Sequence, residues 1–524
     1  MFDITFRNAK IYDGTGAPPY TGDVAIRGER IAEISQDSVL PAKKVIDASG
    51  LVLAPGFIDI HSHSDLTLLL DPRARSSVRQ GVTLEVIGNC GHGCAPIHSA
   101  HVARIAMYGP QQPDSFFTWS TMEGYLDRLE AERPAVNVVA LVPYGQLRLQ
   151  HVGLEQRPAA PHELEQMKTM LHRSLDEGAF GFSTGLEYVQ ERSSSIEEVV
   201  DLCRIVSQHG GIYATHTRDR DQRALEAIDE AIQVAQTTNV QLQISHITPR
   251  TGPDDTERAL YLVDAARKRG LDVGFDMHTR SFGFTHLKNV LPLWVLDGSI
   301  DDIRARLNDA SVIEKIHAHR NLITGVGDWE KVVLVDSVAL SELNGQSFKE
   351  IAGILGMAPL AAAIHILKME GPGIHRPMVR LKTYSEALLE STYRHPECMI
   401  GSDATALAPD GALKDEKFYG SYTWASWFLR HMVKNVRHMK LEEAIYRLTG
   451  LPAKTLKLGN RGLIKRGYFA DIAVLDWEDY GERGTVEEPS KLAEGVRYLM
   501  VNGDLSIDDG QETGIRSGSV LRSL

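Results

Sequence analysis

The sequence predicts an α/β protein whose main part is a (β/α)8 barrel of the TIM type. Two observations support this prediction. Between residues 55 and 461, eight apolar segments that look like buried strands alternate with stretches of helical period. Both ends of the chain read instead as short alternating strands with glycine-containing turns between them. We therefore predict a barrel at 55–461 and a small β-sandwich domain built from 1–54 and 462–524.

The eight predicted barrel strands have helices between most of them, which is the pattern of parallel strands. The helix after the fourth strand is the best marked, because Ser195 and Glu198 form a capping box before it and Gly210 ends it. Its apolar stripe contains Cys203, so we expect this thiol in the core. The predicted strands are 55–61, 82–89, 136–143, 179–184, 211–216, 240–246, 272–277 and 398–403.

The stretch from 278 to 397, between the seventh and eighth predicted strands, is too long for a simple crossover. It contains helical pieces such as "DDIRARLNDASVIEKIHAHR". We therefore predict an inserted lid or subdomain at about 282–395, near the mouth of the barrel.

Composition and charge narrow the class of protein. The 524 residues are 43% hydrophobic and 24% charged, enough for a large core and a solvated surface. The net charge of −13, without a block of Lys or Arg, argues against a nucleic-acid partner. The chain has no apolar run of about 18 residues that would predict a membrane span, and its start does not resemble a signal peptide. Four cysteines in this length do not suggest a disulfide framework, so we expect a cytoplasmic location.

Metal-binding side chains stand at the ends of the predicted strands, where the chemistry of such barrels is found. An isolated buried histidine is more often structural than a ligand. Four histidines and a cysteine at strand ends, together with an acid, favour instead a site for a borderline-soft ion such as zinc. In chain order these residues are His61, His63, Cys90, His216, His246 and Asp403.

The first strand end reads "GFIDIHSHSD". Side chains at i and i+2 of an extended chain share a face, so His61 and His63 project the same way, together with Asp59. Asp59 is a candidate acceptor that braces an imidazole of the metal site. The alternative for this motif alone is a pair of hydrogen-bonded histidines at a strand end.

Other cysteines and histidines do not share this position at a strand end. The loop after the second strand carries Cys94, which we expect to be a spectator thiol. It also carries His92, His98 and His101, which we expect in solvent. Cys398 opens the eighth strand at the end away from the mouth, so we expect it in the core.

Several motifs together resemble the amidohydrolase superfamily, and more narrowly the N-acyl-D-amino-acid deacylases, or D-aminoacylases. They are "PGFIDIHSHSD", "GNCG", "GFSTGLEY", "ATHTRD", "QISH", "GSD" and "RGYFADIAVLD". The histidine pair is common to the whole superfamily, whereas "GNCG" and "STGLEY" are more specific to the deacylases. The chain has no lysine between Lys168 and Lys268, so the carboxylated lysine that bridges two metals in many members cannot form in the fourth strand.

The resemblance implies a function and a ligand set. It implies a zinc-dependent hydrolase of a linear amide, in which Asp403 is the general acid and base for a metal-activated water. One tight zinc would be held by Cys90, His216 and His246. His61 and His63 would hold a second, weakly bound ion or none.

The substrate-binding positions depart in part from the family pattern. Thr248 stands where the family has a lysine, and Lys417 is the nearest match to a family arginine. The carboxylate clamp is therefore rebuilt with different geometry, or the substrate is not a simple N-acyl-D-amino acid. For each basic candidate, surface salt bridging is an equal alternative. The candidate substrate-binding residues are Tyr188, Arg218, His278, Arg280 and Lys417.

Two alternatives stay open at this stage. One is another reaction on the same barrel, the opening of a cyclic amide or the deamination of an amine. The other is a binding homologue without catalysis, which is less favoured because all six ligand and acid positions are intact. We expect a small-molecule amide as the partner, with no nucleic acid and no membrane; the acyl group, the D or L preference and a homo-oligomeric state stay open.

Overall fold

The structure, a computed structural model, describes residues 1–98, 107–110, 112–319 and 321–523. Twenty-one strands lie in these ranges. In chain order they are β1 (Phe2–Ile11), β2 (Tyr20–Arg27), β3 (Arg30–Ser35), β4 (Ala42–Asp47), β5 (Val52–Pro55), β6 (Phe57–Asp59), β7 (Val82–Ile87), β8 (Asn137–Ala140), β9 (Val142–Pro143), β10 (Gly181–Gly185), β11 (Ile212–His216), β12 (Gln241–Ile244), β13 (Val273–Met277), β14 (Phe282–His286), β15 (Val332–Asp336), β16 (Met378–Lys382), β17 (Cys398–Ile400), β18 (Ile472–Leu475), β19 (Val496–Val501), β20 (Asp504–Asp508) and β21 (Gln511–Glu512).

Helices fill most of the connections between the strands. The α-helices in the described ranges are α1 (Thr67–Leu70), α2 (Arg75–Val78), α3 (Met122–Glu132), α4 (Tyr144–His151), α5 (Pro161–Asp176), α6 (Ile196–Gln208), α7 (Ala224–Thr238), α8 (Pro253–Lys268), α9 (Ile300–Asn308), α10 (Ala310–Ala318), α11 (Leu322–Gly325), α12 (Phe348–Leu355), α13 (Pro359–Glu370), α14 (Glu386–Tyr393), α15 (Tyr419–Leu429), α16 (Leu441–Leu448) and α17 (Gly450–Thr455).

Strands from both ends of the chain share one sheet of nine strands. Its order is β21-β20-β19-β18-β5-β1-β2-β3, with β4 paired to β1. The antiparallel pair of β5 and β18 joins the two ends of the chain. One apolar cluster buries side chains from both ends of the chain, among them Phe6, Leu53, Ile472 and Met500. The sequence predicts a small sandwich for this unit, and its strands lie in one sheet in which β4 branches from β1.

The parallel strands pair in chain order and form the centre of the fold. One sheet has the order β6-β7-β8, and the other has β9-β10-β11-β12-β13-β17. Only Leu141 separates β8 from β9. Beyond the ends of β6 and β17, Ser62 and Ala404 form a parallel bridge, and the His63 N–H donates to the Ala404 carbonyl at 2.7 Å. First and last strands that meet in this way are what a (β/α)8 barrel requires.

Helices α5 to α8 follow the parallel strands and pack on one another along the chain. Helix α6 begins as the sequence predicts, because the Ser195 hydroxyl accepts from the Glu198 N–H at 3.3 Å. Cys203 lies buried on its apolar face. These helices cover the outer side of the strands, so the polar strand ends are left to form the site.

An inserted subdomain lies between β13 and β17. Its antiparallel sheet has the order β14-β16-β15, and helices α9 to α13 surround it. This segment has an apolar cluster of its own, which contains Leu287, Leu307, Phe348 and Leu367. Helix α14 falls within the predicted insertion but packs against β13 and β17, as a crossover helix does.

Within the described ranges, no single helix is both long and apolar enough to cross a bilayer. Helix α12 and the segment Pro359–Gly373 reach that length and composition only together, across a bend of 80°.

Candidate metal centre and active-site cavity

The predicted ligands follow the carboxyl ends of neighbouring parallel strands. His216 is the last residue of β11, and His61, Cys90, His246 and Asp403 come two or three residues after β6, β7, β12 and β17. The backbone of three of them is left-handed, with φ of +53° at Cys90, +36° at His246 and +44° at Asp403. Such backbone is uncommon for residues other than glycine and concentrates at functional sites. The chain therefore turns sharply where these side chains meet.

Four of these residues form one compact group. His61, Cys90, His246 and Asp403 each offer a ligand atom, and these atoms all lie within 4.8 Å of one another. The Cys90 Sγ is 3.2 Å from the His61 Nε2 and 3.5 Å from the His246 Nε2. Burial raises the pKa of the Cys90 thiol to about 11, so a cation is needed to hold it as the thiolate at neutral pH.

His216 lies beside this group rather than within it. Its ring centroid is 4.6 Å from that of His246. Its Nε2 is 2.7 Å from a carboxylate oxygen of Glu187, which fixes the tautomer that protonates Nε2. The Nδ1 of His216 keeps its lone pair and is buried without a hydrogen-bond partner among the described residues.

The donor set fits a zinc ion. The Nδ1 atoms of His63, His216 and His246 are buried without partners in the described part of the chain, although buried polar atoms are nearly always hydrogen-bonded. Burial lowers the pKa of each of these imidazoles, to about 4 for His216, which favours the neutral form that binds metals. Imidazole nitrogens beside a thiol are the ligands that zinc prefers.

Asp276 positions two members of the group, and the sequence analysis missed it. Its Oδ1 accepts from the His61 Nδ1 at 3.1 Å and from the His246 N–H at 2.9 Å. The prediction that Asp59 braces an imidazole is wrong. Its carboxylate accepts instead from the main-chain N–H groups of His61 and Ser402, at 3.2 and 2.8 Å, because it lies below the ring.

Asp403 stands between the histidines and a buried arginine. Its Oδ1 is 3.3 Å from the His63 Nε2, and its Oδ2 accepts from the Arg280 Nη2 at 2.9 Å. Burial opposes the ionisation of Asp403, but the hydrogen bond of His63 and the charge of Arg280 outweigh it and hold the pKa well below its usual range. Asp403 is therefore ionised at neutral pH.

A cavity of about 330 Å³ opens directly above this group. His63, His216, His246 and Asp403 line its floor. The segment between β13 and β17 supplies many of the other residues that line the cavity. Of the predicted substrate-binding residues, those that line the cavity are Tyr188, His278 and Lys417.

The two other predicted substrate-binding residues are not among the described residues that line the cavity. Arg218 pairs with Glu230, with an Nη2–Oε1 distance of 2.8 Å. Arg280 is 1% exposed and is committed to Asp403 and to the Ser402 carbonyl. Both guanidinium groups donate to acceptors in other parts of the chain.

The loop after β7 differs from the prediction at one position. We predict His92 in solvent, but it is buried, and its Nδ1 is 2.8 Å from the Cys90 carbonyl. Its ring packs against Tyr108 and Tyr188 with centroids 4.7 and 4.4 Å away. His98 is exposed as predicted, and His101 lies outside the described residues. His92 is therefore packed inside the protein and not in solvent.

Among the arginines that line the cavity, Arg220 alone lacks a carboxylate partner in the described part of the chain. Arg250 pairs with Glu187, and Arg376 pairs with Asp336. The Nη2 of Arg220 donates only to the carbonyls of His246 and Thr248 and to the hydroxyl of a tyrosine, Tyr384. Its Nε and Nη1 donate to no described group. The sequence analysis did not single out this residue.

Comparison with known proteins places the chain in a family. The amidohydrolase family matches residues 44–321 and 338–507. N-acyl-D-aspartate deacylase from Alcaligenes xylosoxydans xylosoxydans is 31% identical over 99% of this chain and 95% of its own length. D-aminoacylase from the same organism is 30% identical over 99% of this chain and 97% of its own length. The chain therefore belongs to the amidohydrolase family of metal-dependent hydrolases, on its D-aminoacylase branch.

Solved structures of deacylases are also similar to this chain over nearly its whole length. The N-acyl-D-glutamate deacylase of Bordetella bronchiseptica, complexed with zinc and a phosphonate mimic of the tetrahedral intermediate, has a TM-score of 0.82 at 27% identity over 99% of each chain. A D-aminoacylase has a TM-score of 0.80 at 28% identity over 100% of each chain. L-hydantoinase from Arthrobacter aurescens, at 15% identity and a TM-score of 0.57 over 100% of each chain, shares the fold alone.

Proposed function

We propose that this protein is a zinc-dependent hydrolase of N-acyl amino acids, acting at the carboxyl-end mouth of a (β/α)8 barrel. The observation that carries the proposal is the group of a buried thiol, imidazoles and a carboxylate beside one cavity. The similarity to D-aminoacylases over nearly the whole chain supports the same chemistry.

Cys90, His216 and His246 are the proposed ligands of one tight zinc, and His61 and His63 are those of a weaker second site. The free Nδ1 atoms of His63, His216 and His246 support metal binding at these histidines. Zinc bound there would lower the pKa of a bound water to about 7 and polarise the acyl carbonyl. The direct contact of His61 with Cys90 means that the thiol is within reach of both sites.

Asp403 is the proposed general acid and base. Its carboxylate lines the cavity and is 21% exposed, so a water can reach it. Oδ1 would take the proton of the attacking water and pass it to the leaving nitrogen. Arg280 holds Oδ2 and thereby keeps Oδ1 directed towards the histidines.

Arg220 is the proposed partner of the substrate's α-carboxylate. Thr248 stands where the family has a lysine. The Nη2 of Arg220 lies 3.4 Å from the Thr248 carbonyl, so Arg220 would supply the positive charge near this position. Its free Nε and Nη1 point to different sides of the guanidinium group, and either can donate to an oxygen of a carboxylate. Tyr188 and His278 line the same cavity, and Lys417 is exposed at its rim.

Metal analysis together with an amide panel tests this function. The panel contains N-acyl-D-amino acids, N-acyl-L-amino acids, hydantoins and aryl amides. We expect bound zinc and hydrolysis of N-acyl amino acids above all others. Zinc without hydrolysis of any linear amide, or preferred opening of hydantoins, would reject the proposal.

A further inference from the structure

Lys288 is a buried lysine without a counter-ion. It follows β14 in the short turn Leu287–Val290, and it is only 5% exposed. Among the residues that the structure describes, no carboxylate, hydrogen-bond acceptor or aromatic ring contacts its ammonium group. Burial alone acts on this group and lowers its pKa to about 8. Buried charges are normally paired, so an unpaired one indicates a group that arrives from outside the chain.

The ammonium faces a small side cavity. This side cavity has a volume of about 30 Å³ and is lined by Lys288, His286, His375 and Gln112 together with apolar side chains and a glycine. A volume of about 10–15 Å³ holds one water-sized atom, so there is room for two oxygens. No acidic side chain is found among the described lining residues. The side cavity therefore suits the two oxygens of a carboxylate.

The side cavity adjoins the active-site cavity. Gly109, Pro110, His286 and His375 line both. Tyr108 connects the two, because its ring stacks on His286 at 5.5 Å and packs on His63 at 4.8 Å. A substrate with its amide over the metal-binding histidines can therefore extend along Tyr108 towards Lys288.

We propose that Lys288 binds a second carboxylate at the far end of the substrate, so the preferred substrates are dianionic N-acyl amino acids. This inference rests on the proposed function. The second carboxylate belongs either to the side chain of the amino acid or to a dicarboxylic acyl group. Arg220 then holds the α-carboxylate and Lys288 holds the second carboxylate of the same molecule.

Two substrate pairs that differ only in charge test this. N-acetyl-D-glutamate against N-acetyl-D-glutamine places the carboxylate on the side chain. N-succinyl-D-leucine against N-succinamoyl-D-leucine places it on the acyl group. We expect the wild-type kcat/KM to be higher for the anionic member of one pair. That pair shows whether the second carboxylate belongs to the amino-acid side chain or to the acyl group. Lys288→Met should lower that ratio by about 10- to 100-fold, the worth of one hydrogen bond to a charged group.

The matched control is Lys268→Met, because Lys268 is exposed on helix α8. It should leave the ratio unchanged. No preference in either pair for the wild type, or an equal loss for both members in Lys288→Met with a native circular dichroism spectrum, would overturn the inference. If Lys288→Met does not fold, Lys288→Gln takes its place.

Binding of glutarate to the zinc-loaded protein separates this inference from the proposed function. Hydrolysis of none of the four amides would reject the proposed function. Calorimetry then decides on Lys288 alone. Weaker glutarate binding in the Lys288 variant than in wild type supports the inference, and equal affinity overturns it.

Discussion

Glu187 offers a sharp test of how the proposed zinc ligands are held. Its Oε2 accepts from the His216 Nε2 at 2.7 Å, and both its oxygens accept from Arg250 at 2.8 and 2.9 Å. Glu187→Gln keeps the shape but removes the charge and turns one oxygen into an N–H donor. If that donor faces His216, the imidazole must protonate Nδ1, which can then no longer bind a metal. If it faces Arg250, two donors oppose each other.

The expected loss of zinc affinity follows from the hydrogen bond that Glu187→Gln removes. A hydrogen bond to a charged group is worth about 1.5–3 kcal/mol, and each 1.4 kcal/mol is a factor of about ten in affinity. We therefore expect zinc affinity to fall by about 10- to 100-fold, the range found when such outer ligand partners are removed. Arg250 keeps a carboxylate partner in Asp221, at 3.2 Å, so the fold should survive.

The assay is a competition for zinc between the protein and a chelator of known affinity. The matched control is Glu257→Gln, an exposed position on helix α8 that should bind zinc as wild type does. Activity of Glu187→Gln should fall when zinc is limiting and recover in excess zinc. Unchanged zinc affinity in Glu187→Gln would refute the assignment of His216 as a ligand through Nδ1.

The remaining predictions concern turnover and substrate binding. Asp403→Asn should retain zinc but lower kcat by a factor of about 10²–10⁴. The control Asp415→Asn, at an exposed position nearby, should leave kcat unchanged. Wild-type turnover in Asp403→Asn would contradict the role in proton transfer. Arg220→Met should raise KM for N-acyl amino acids by about 10- to 100-fold, and an equal rise for amides without an α-carboxylate would show that Arg220 does not bind it. Asp276→Asn should weaken zinc binding by about 10-fold or more, measured against the same chelator, and an affinity equal to that of wild type would mean that Asp276 is not needed to hold the ligands.

The strand ends were predictable because an apolar run followed by a polar residue is a local pattern. Each of the eight predicted segments overlaps a parallel strand, and the six residues at their ends come within one small region. The sequence could not give the distances between them. The family resemblance implies one zinc on Cys90, His216 and His246, and the structure adds that His61 and Asp403 lie beside Cys90 and His246.

Partners contributed by distant parts of the chain could not be predicted. For Arg280 and Arg218 the sequence left substrate contact and salt bridging equally open, because their carboxylate partners, Asp403 and Glu230, are brought near only by the fold. His92 looked like a loop residue in solvent, because its aromatic neighbours are remote in sequence or lie across the cavity. Asp276 left a usable signal, since a carboxylate inside the apolar strand "VGFDM" must have buried donors around it.

X-ray absorption at the zinc edge of the loaded protein tests the central claim most directly. The account predicts one sulfur ligand at about 2.3 Å among nitrogen or oxygen ligands, and its loss in Cys90→Ser. A spectrum with nitrogen and oxygen ligands only, unchanged by that substitution, would contradict the account.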